Sequence, residues 1–223
     1  MPKHEDIGAL YDRWVTSWTP WGWYTRWYLR HQSAVNLPDL LGATGPGPHP
    51  RLLDVGCACG VYLAEAYEQG HGREVLAGVD LSGKQIEVAG KRLGRIVATE
   101  TSVRLEQASA TELPFEDASF DAVISNAMIK YLDDEGLERF LQEAARVLVP
   151  GGWLAMGEFG RDAGMLASGA RHAMGCGPER FRSDEQQAAW LWRTGFSETQ
   201  GFQMRRLMRI PFLMEGASGR LPA

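Results

Sequence analysis

Short apolar runs alternate with amphipathic stretches along most of the chain. Four runs, at 51–55, 74–82, 103–108 and 120–128, are short and bounded by turn residues, which is typical of buried strands. The stretches GVYLAEAYEQG and GKQIEVAGKRLG separate the first three runs and carry apolar residues at helical spacing. Strands that alternate with helices predict an α/β fold with a doubly wound, mostly parallel sheet and helices on both faces.

The later part of the chain continues this alternation. The segment DEGLERFLQEAARVL carries one apolar stripe, and either Asp133 or Asp134 is placed to cap it, so it predicts a helix. A fifth strand, WLAMGEF, follows the turn PGG, and a further helix is predicted to begin at the cap residue Ser183. Two more strand-like stretches fall around 196–213.

A shift towards loop-forming residues occurs in GATGPGPHP, at 42–50. It predicts a linker between an N-terminal helical cap or lid at 1–45 and a body at 46–223, because about 40 residues are too few for a core of their own. The cap is rich in aromatic residues, and five of the eight tryptophans lie in 11–31.

The loop after the first strand, in RLLDVGCACG, carries the most specific pattern. Aligned on Gly56, it fails the dinucleotide fingerprint G-x-G-x-x-G, because Ala58 and Val61 occupy the second and third glycine positions. It does fit D-x-G-x-x-x-G, through Asp54, Gly56 and Gly60. Small residues at such a turn let a ligand approach the backbone closely. The loop therefore disfavours a nicotinamide-dependent dehydrogenase.

With this loop the chain resembles the small-molecule branch of the class I S-adenosylmethionine (SAM)-dependent methyltransferases. Asp80 after the second strand, the LPF at 113–115, and the fourth strand followed by its helix and LVPGGW extend the resemblance over residues 48–160. It implies a seven-stranded Rossmann-like sheet, SAM as cofactor and S-adenosylhomocysteine (SAH) as product. Asp80 suits the ribose, because a carboxylate accepts hydrogen bonds from both hydroxyls.

The resemblance also implies a set of cofactor-binding residues. The loop residues shape the methionine and sugar pocket, Ser109 meets the adenine edge, and Asn126 and Met128 flank the reacting centre. The full set is Tyr11, Asp54, Gly56, Cys57, Ala58, Gly60, Asp80, Leu81, Ser109, Ala110, Asn126 and Met128. No metal is expected, because a closed zinc site needs four ligands and the cysteines Cys57, Cys59 and Cys176 are not arranged to supply them.

Several positions, including Cys59 and Ala108, depart from the family pattern, and three of them bear most on the site. Glycine is more usual at Ala58, an aspartate that faces the adenine is more usual at Ser109, and quinone-type relatives have histidine at Lys130. A serine oxygen still accepts one hydrogen bond but brings no charge. Lys130 is interpreted either as a solvated neighbour of the helix cap or as a ligand contact.

The substrate side allows several interpretations. The N-terminal aromatic residues either pack a cap helix on the body, stack on a flat or cationic substrate, or anchor the chain at a membrane interface. Family members place substrate contacts in the insertion that corresponds to 160–183, whose arginines either bind an anion or face solvent. The predicted catalytic residues are His172, Glu158 and Tyr24, with His31 as a further candidate base.

Composition narrows the choice of partners. The net charge of −5 and the absence of a basic block argue against nucleic acid, and no apolar stretch reaches the roughly 20 residues of a membrane span. The N-terminus lacks the apolar core of a signal peptide, so a cytoplasmic location without membrane association is expected. Lysine is scarce, 4 residues against 19 arginines, which resembles the products of GC-rich bacterial genomes.

These observations predict an enzyme that transfers a methyl group from SAM to a nitrogen or oxygen atom of a small metabolite. A bacterial secondary metabolite with an aromatic or polar ring is the expected substrate, and the protein is expected to be a monomer or homodimer. One alternative is a C-methyltransferase of a quinone or lipid-like substrate. The other is a SAM-binding protein that does not methylate.

Overall fold

The computed structural model describes residues 35–160, 180–204 and 214–223. Most of the predicted cap, with Tyr11, Tyr24 and His31, lies outside the described residues, as do His172 and Cys176. The strands are β1 (Arg51–Val55), β2 (Val75–Asp80), β3 (Ser102–Gln107), β4 (Phe120–Asn126), β5 (Leu148–Phe159), β6 (Ser197–Met204) and β7 (Met214–Arg220). The helices are α1 (Val61–Glu68), α2 (Gly83–Leu93), α3 (Asp134–Val147) and α4 (Asp184–Arg193), with a 3₁₀ turn at Ile129–Tyr131 and helical residues at 35–42.

The seven strands form one sheet in the order β3-β2-β1-β4-β5-β7-β6. The pairings among β1 to β5 are parallel, and β7 runs antiparallel to both of its neighbours, β5 and β6. The prediction of a mostly parallel, seven-stranded, doubly wound sheet is therefore confirmed. The order reverses at β1, so the loops after β1 and β4 open at a topological switch point, where ligands bind in such sheets.

Local sequence explains the helices that support this sheet. Asp133 caps α3 by accepting a hydrogen bond from the Gly136 N–H at 2.8 Å. Ser183 and Gln186 form a reciprocal capping box at the start of α4, as the position of Ser183 predicted. The apolar stripe of α3, which includes Leu137, Phe140 and Ala144, is completely buried in the core on one face of the sheet.

The last strand is the element that the apolar pattern did not predict. Its sequence, MEGASGR, has low β propensity and no alternation, yet it pairs along its length with β5 and, with an irregularity in register, with β6. A Cβ atom at Gly216 would lie 2.5 Å from the ring of Phe202, and one at Gly219 would lie 2.9 Å from Cβ of Phe196. The glycines are therefore needed for packing, although they weaken the strand signal.

The segment 42–50, predicted as a linker, has exposed glycine and proline residues and a few buried side chains. Leu37 and Leu40, in the helical residues just before it, are fully buried in one apolar cluster with Leu52 of β1. Within the segment, the Thr44 hydroxyl and His49 Nε2 are 2.8 Å apart, and both residues are buried. Glycine and proline make the turns here, while buried side chains on either side hold the segment in place.

Candidate active site

A cleft opens at the carboxyl edge of the sheet, where β1, β2, β3 and β4 end. Its space of about 1030 Å³ includes open solvent, and the position beyond the strand ends is the one where such sheets bind ligands. Its lining comes from residues 56–59, 61, 62, 79–81, 108–110, 126–128, 131 and 132. The lining is predominantly apolar, with few polar groups that a ligand can engage.

The loop between β1 and α1 forms one wall through its backbone. Gly56, Ala58 and Gly60 have φ angles of 83°, 44° and 70°, in the left-handed region. The N–H groups of Gly56 and Cys57 both donate to the Val79 carbonyl oxygen, at 2.8 and 3.0 Å, and so fasten the loop to β2. The left-handed φ of Ala58 explains why glycine is more usual there, since a Cβ atom makes that conformation costly.

Asp80 closes the neighbouring wall at the end of β2. Its Oδ2 accepts a hydrogen bond from the Ala58 N–H at 3.0 Å, and its Oδ1 accepts one from the Ser82 N–H at 2.9 Å. Each carboxylate oxygen has two lone pairs, so Asp80 can orient the loop and still accept hydrogen bonds from a ligand in the cleft. Ser82 in turn caps α2 through the Gln85 N–H.

Asp54 lies beneath the loop and does not line the cleft. Burial, and next the nearby charge of Asp80, raise the pKa of Asp54 to about 8. A carboxyl group with this pKa is mostly protonated at neutral pH, so a cation that binds close to it would favour its ionised form. Gly60 also lies outside the lining, because it sits behind the loop where its Cβ would meet Ala89 at 2.9 Å.

The other predicted cofactor residues that the structure describes do line the cleft. Ser109 stands at the end beyond β3, where its hydroxyl lies 2.8 Å from the hydroxyl of Thr111 and also accepts from the Thr111 N–H. Ala110 and Leu81 add apolar surface beside it. Cys57 and Cys59 contribute small side chains, and burial raises the pKa of the Cys57 thiol. Among the described residues, no group of three or more metal-ligating side chains lies together.

The opposite end of the cleft contains a polar pair. The Asn126 Nδ2 donates to the Tyr62 hydroxyl at 2.6 Å, while Asn126 Oδ1 is buried without a hydrogen-bond partner. Met128 covers the glycine loop, since a Cβ at Gly56 would lie 2.8 Å from Met128 Cγ. Sequence reasoning singled out Asn126 and Met128 but missed Tyr62 and Tyr131. Tyr62 follows the end of β1 and Tyr131 follows the end of β4, and this position in the sequence could have indicated the two tyrosines.

Glu158, which the sequence predicted as a catalytic base, does not line the cleft. It is fully buried outside the cleft lining, and its Oε1 lies 3.3 Å from Nζ of the fully buried Lys130. The backbone N–H groups of Lys130 and Phe159 also donate to its two oxygens, at 3.1 and 2.8 Å. A carboxylate held in this way is not placed to take a proton from a ligand. Lys130 is neither the solvated residue nor the ligand contact that we expected.

Residues 53–156 match the sequence model of a family described as "Methyltransferase domain". This part of the chain is therefore similar to methyltransferase domains, as the resemblance to the class I SAM-dependent methyltransferases predicted. The 27-O-demethylrifamycin SV methyltransferase of Amycolatopsis mediterranei is 32% identical over 71% of this chain and 60% of its own length. The O-methyltransferase resE of Aspergillus sclerotiorum is 31% identical over 73% of this chain and 64% of its own. The chain thus spans somewhat less than two thirds of these two relatives.

Solved methyltransferase structures share the fold. Phosphoethanolamine N-methyltransferase 2 of Haemonchus contortus, in complex with phosphomonomethylethanolamine and SAH, superposes with a TM-score of 0.68 at 18% identity. The match covers 99% of this chain and 58% of that one. At this identity the likeness concerns the fold.

Several residues of the cleft fit the chemical groups of SAM. The Asp80 carboxylate stands at one end, where two hydroxyl groups of a ribose need acceptors. Asn126 lines the other end, while its Oδ1 is buried beside Gly157, where an added Cβ atom would lie 2.5 Å from it. Apolar and small residues line the space between, which suits a flat base, and the Asp80 carboxylate supplies the acceptors that a ribose needs. The residues therefore fit the cofactor of the family.

Proposed function

We propose that the protein transfers a methyl group from SAM to an oxygen atom of a small natural-product-like metabolite. The observation that carries this proposal is the cleft at the ends of β1, β2 and β4, with Asp80 and the glycine loop facing Asn126 and Met128 across it. Oxygen is favoured over the nitrogen acceptors that the sequence also allowed, because both relatives described above are named as O-methyltransferases.

In this proposal the chain's own residues act by binding and orientation. The sulfonium of the bound cofactor supplies an electrophilic methyl group. Asp80 accepts the ribose hydroxyls, Ser109 and Ala110 flank the adenine, and Asn126 and Met128 lie at the methionine end. The apolar lining excludes water, and a fixed cofactor lets an acceptor approach in line with the sulfur–methyl bond, from which much of the rate can come.

A hydroxyl acceptor needs a group that takes its proton. His172 and Tyr24 remain the proposed bases, and both lie outside the described residues. Tyr62 is a further polar group at the cleft, and its hydroxyl oxygen lies 2.6 Å from Asn126 Nδ2.

We propose Tyr11 as a contact for the methionine end of the cofactor. The division into a cap at 1–45 and a body at 46–223 also remains a proposal, as do a cytoplasmic location and a monomeric or homodimeric state. Within the described parts of the chain, no helix has the length and apolarity to cross a membrane.

Calorimetric titration with SAM and SAH tests the cofactor assignment. Asp80→Ala should weaken SAH binding by roughly 1.5–3 kcal/mol, the usual loss for hydrogen bonds to a charged group. Glu87→Gln, which changes an exposed carboxylate on the neighbouring helix α2, should leave the affinity unchanged and serves as the control. Equal binding by wild type and Asp80→Ala would place the ribose elsewhere, and a wild type that binds neither compound would refute the proposal.

An acceptor screen then distinguishes the functions that remain. Phenols and polyketide-like hydroxyl compounds should release SAH from SAM, whereas amines and quinones should release none. Methylation of a quinone carbon would favour the C-methyltransferase alternative. Tight SAH binding with no methyl transfer to any compound of the panel would favour a SAM-binding protein without methyltransferase activity.

A further inference from the structure

The buried ion pair Lys130–Glu158 has no role in the proposed function so far. Both side chains are completely buried, and the Lys130 Nζ also lies 4.6 Å from the centre of the Tyr131 ring and 5.2 Å from that of Phe159. Removal of two charges from water costs several kcal/mol for each ion, and apolar residues of similar volume often stabilise a fold equally well or better. The pair therefore calls for a reason other than stability.

The pair fastens the turn after β4 to the end of β5. The Lys130 Nζ donates to the Ala127 carbonyl oxygen as well as to Glu158. Glu158 accepts from the Lys130 N–H through its other oxygen, at 3.1 Å, and so also holds the 3₁₀ turn. Ala127 itself is left-handed, with φ 56°, and its N–H donates to the Gly157 carbonyl oxygen at 2.7 Å. The left-handed backbone of Ala127 is thus held by hydrogen bonds at both its N–H and its carbonyl oxygen.

This turn forms the end of the cleft that faces away from Asp80. Asn126, Ala127 and Met128 all line the cleft, and Met128 packs over Gly56. We propose that Lys130 and Glu158 are positioning residues that hold the turn Asn126–Met128 ready for the methionine end of SAM. The inference rests on the proposed function, because it assigns the two ends of the cleft to the two ends of the cofactor. The Lys130 ammonium group donates a hydrogen bond to the Ala127 carbonyl oxygen, and an apolar side chain at this position could not do so.

Amide hydrogen exchange of the wild type provides a test that needs no variant. If the pair holds the turn in advance, the amides of Ala127 and Lys130 should exchange at least a hundredfold more slowly than unprotected amides before SAH is added. Exchange at the unprotected rate without SAH would overturn the inference, since the turn would then form only around the cofactor.

The double variant Lys130→Met/Glu158→Gln removes both charges and leaves neither of them unpaired. We expect its affinity for SAH to fall at least tenfold, and its affinity for 5′-methylthioadenosine, which lacks the amino-acid end, to stay within threefold. Exchange at 126–131 should accelerate, while exchange at 80–85 should not. The variant Lys130→Gln/Glu158→Gln keeps an amide donor and should recover part of the SAH affinity. The exposed pair Glu87–Lys91, changed to Gln and Met, is the control.

The outcomes separate the two proposals. A wild type without SAH affinity refutes the proposed function. A wild type that binds SAH, together with a double variant within twofold of it, refutes the positioning role alone. Equal losses of SAH and 5′-methylthioadenosine would also refute that role, as they indicate general damage to the cleft. No recovery by the Gln/Gln variant would refute the role of the directed hydrogen bond to the Ala127 carbonyl oxygen.

Discussion

The two ends of the cleft are built by different means. At the Asp80 end, the wall is backbone: a turn with left-handed residues, tied to β2 and oriented by one carboxylate. At the Asn126 end, the wall depends on side chains, with a buried ion pair behind the turn and an amide–phenol pair at its surface. Both ends join residues that are distant in the chain, 22 positions apart for Ala58 and Asp80 and 28 for Lys130 and Glu158. They differ in that backbone groups make most of the first wall and side chains hold the second.

Breaking the ion pair on one side should have the largest effect on stability. Lys130→Met leaves Glu158 buried without its cation, which typically destabilises a fold by about 3–5 kcal/mol. Lys91→Met removes an exposed partner and should cost less than about 0.5 kcal/mol. Chemical unfolding of the two variants measures the difference. Similar values for both would mean that the buried pair is solvated in solution.

A change in the glycine loop should impair both SAH binding and stability. Gly56→Ala adds a Cβ in the left-handed region, 2.8 Å from Met128 Cγ, so the loop or Met128 must move. We expect at least a tenfold loss of SAH affinity and a stability loss of about 1–3 kcal/mol. Gly90→Ala, on the exposed side of α2, is the matched control and should stabilise the helix by up to about 1 kcal/mol. Undiminished SAH binding by Gly56→Ala would contradict the close approach of the cofactor to this loop.

The pH dependence of stability should also distinguish the Asp80 end. Because burial and Asp80 raise the pKa of Asp54 to about 8, the folded state holds a proton that the unfolded state releases near pH 4. This contribution is complete below pH 4 and is lost as pH rises towards 8. Asp54→Asn should flatten this slope in urea unfolding measured from pH 5 to 8. A slope equal to that of the wild type would show that Asp54 is already ionised in the fold.

The base of the sheet, away from the cleft, should respond to pH in the opposite sense. Burial, and next the charge of His49, lower the pKa of His71 to about 4, and burial also lowers the pKa of His49. Stability from these neutral histidines is complete above about pH 6.5 and is lost as pH falls towards 4. His71→Gln should reduce that acid sensitivity in thermal unfolding without a change in SAH affinity at pH 7. A loss of SAH affinity in the same variant would show that the histidines at the base of the sheet influence the cleft.

The smallest effect is expected where the loop departs from the usual glycine. Ala58→Gly relieves a left-handed alanine and should stabilise the fold by up to about 1 kcal/mol, offset in part by the greater freedom of the unfolded chain. SAH affinity should change by less than threefold, because the hydrogen bond from the residue 58 N–H to Asp80 is kept. A marked loss of affinity would indicate that the methyl group of Ala58 itself contacts the cofactor.

Local patterns were sufficient for most of the fold and for the Asp80 end of the site. The strands β1, β2 and β4, the capped helices α3 and α4, and the turn with Gly56 each depend on neighbours within a few residues. Asp80 follows from its place at a strand end, since parallel strands bring their carboxyl ends to one edge. The family resemblance then indicated the cofactor, which sequence periodicity alone does not identify.

The tertiary structure decided what depends on residues far apart in the chain. Sequence alone interpreted Glu158 as a base and Lys130 as a solvated or ligand-contacting residue, because each is charged and stands near a strand end. Only the packing of β4 beside β5 buries both and pairs them. The strand β7 likewise becomes a strand only between β5 and β6, where its glycines make room for Phe196 and Phe202. Periodicity reports whether a residue faces a core, but the contact that a buried charge makes is set by the chain that folds against it.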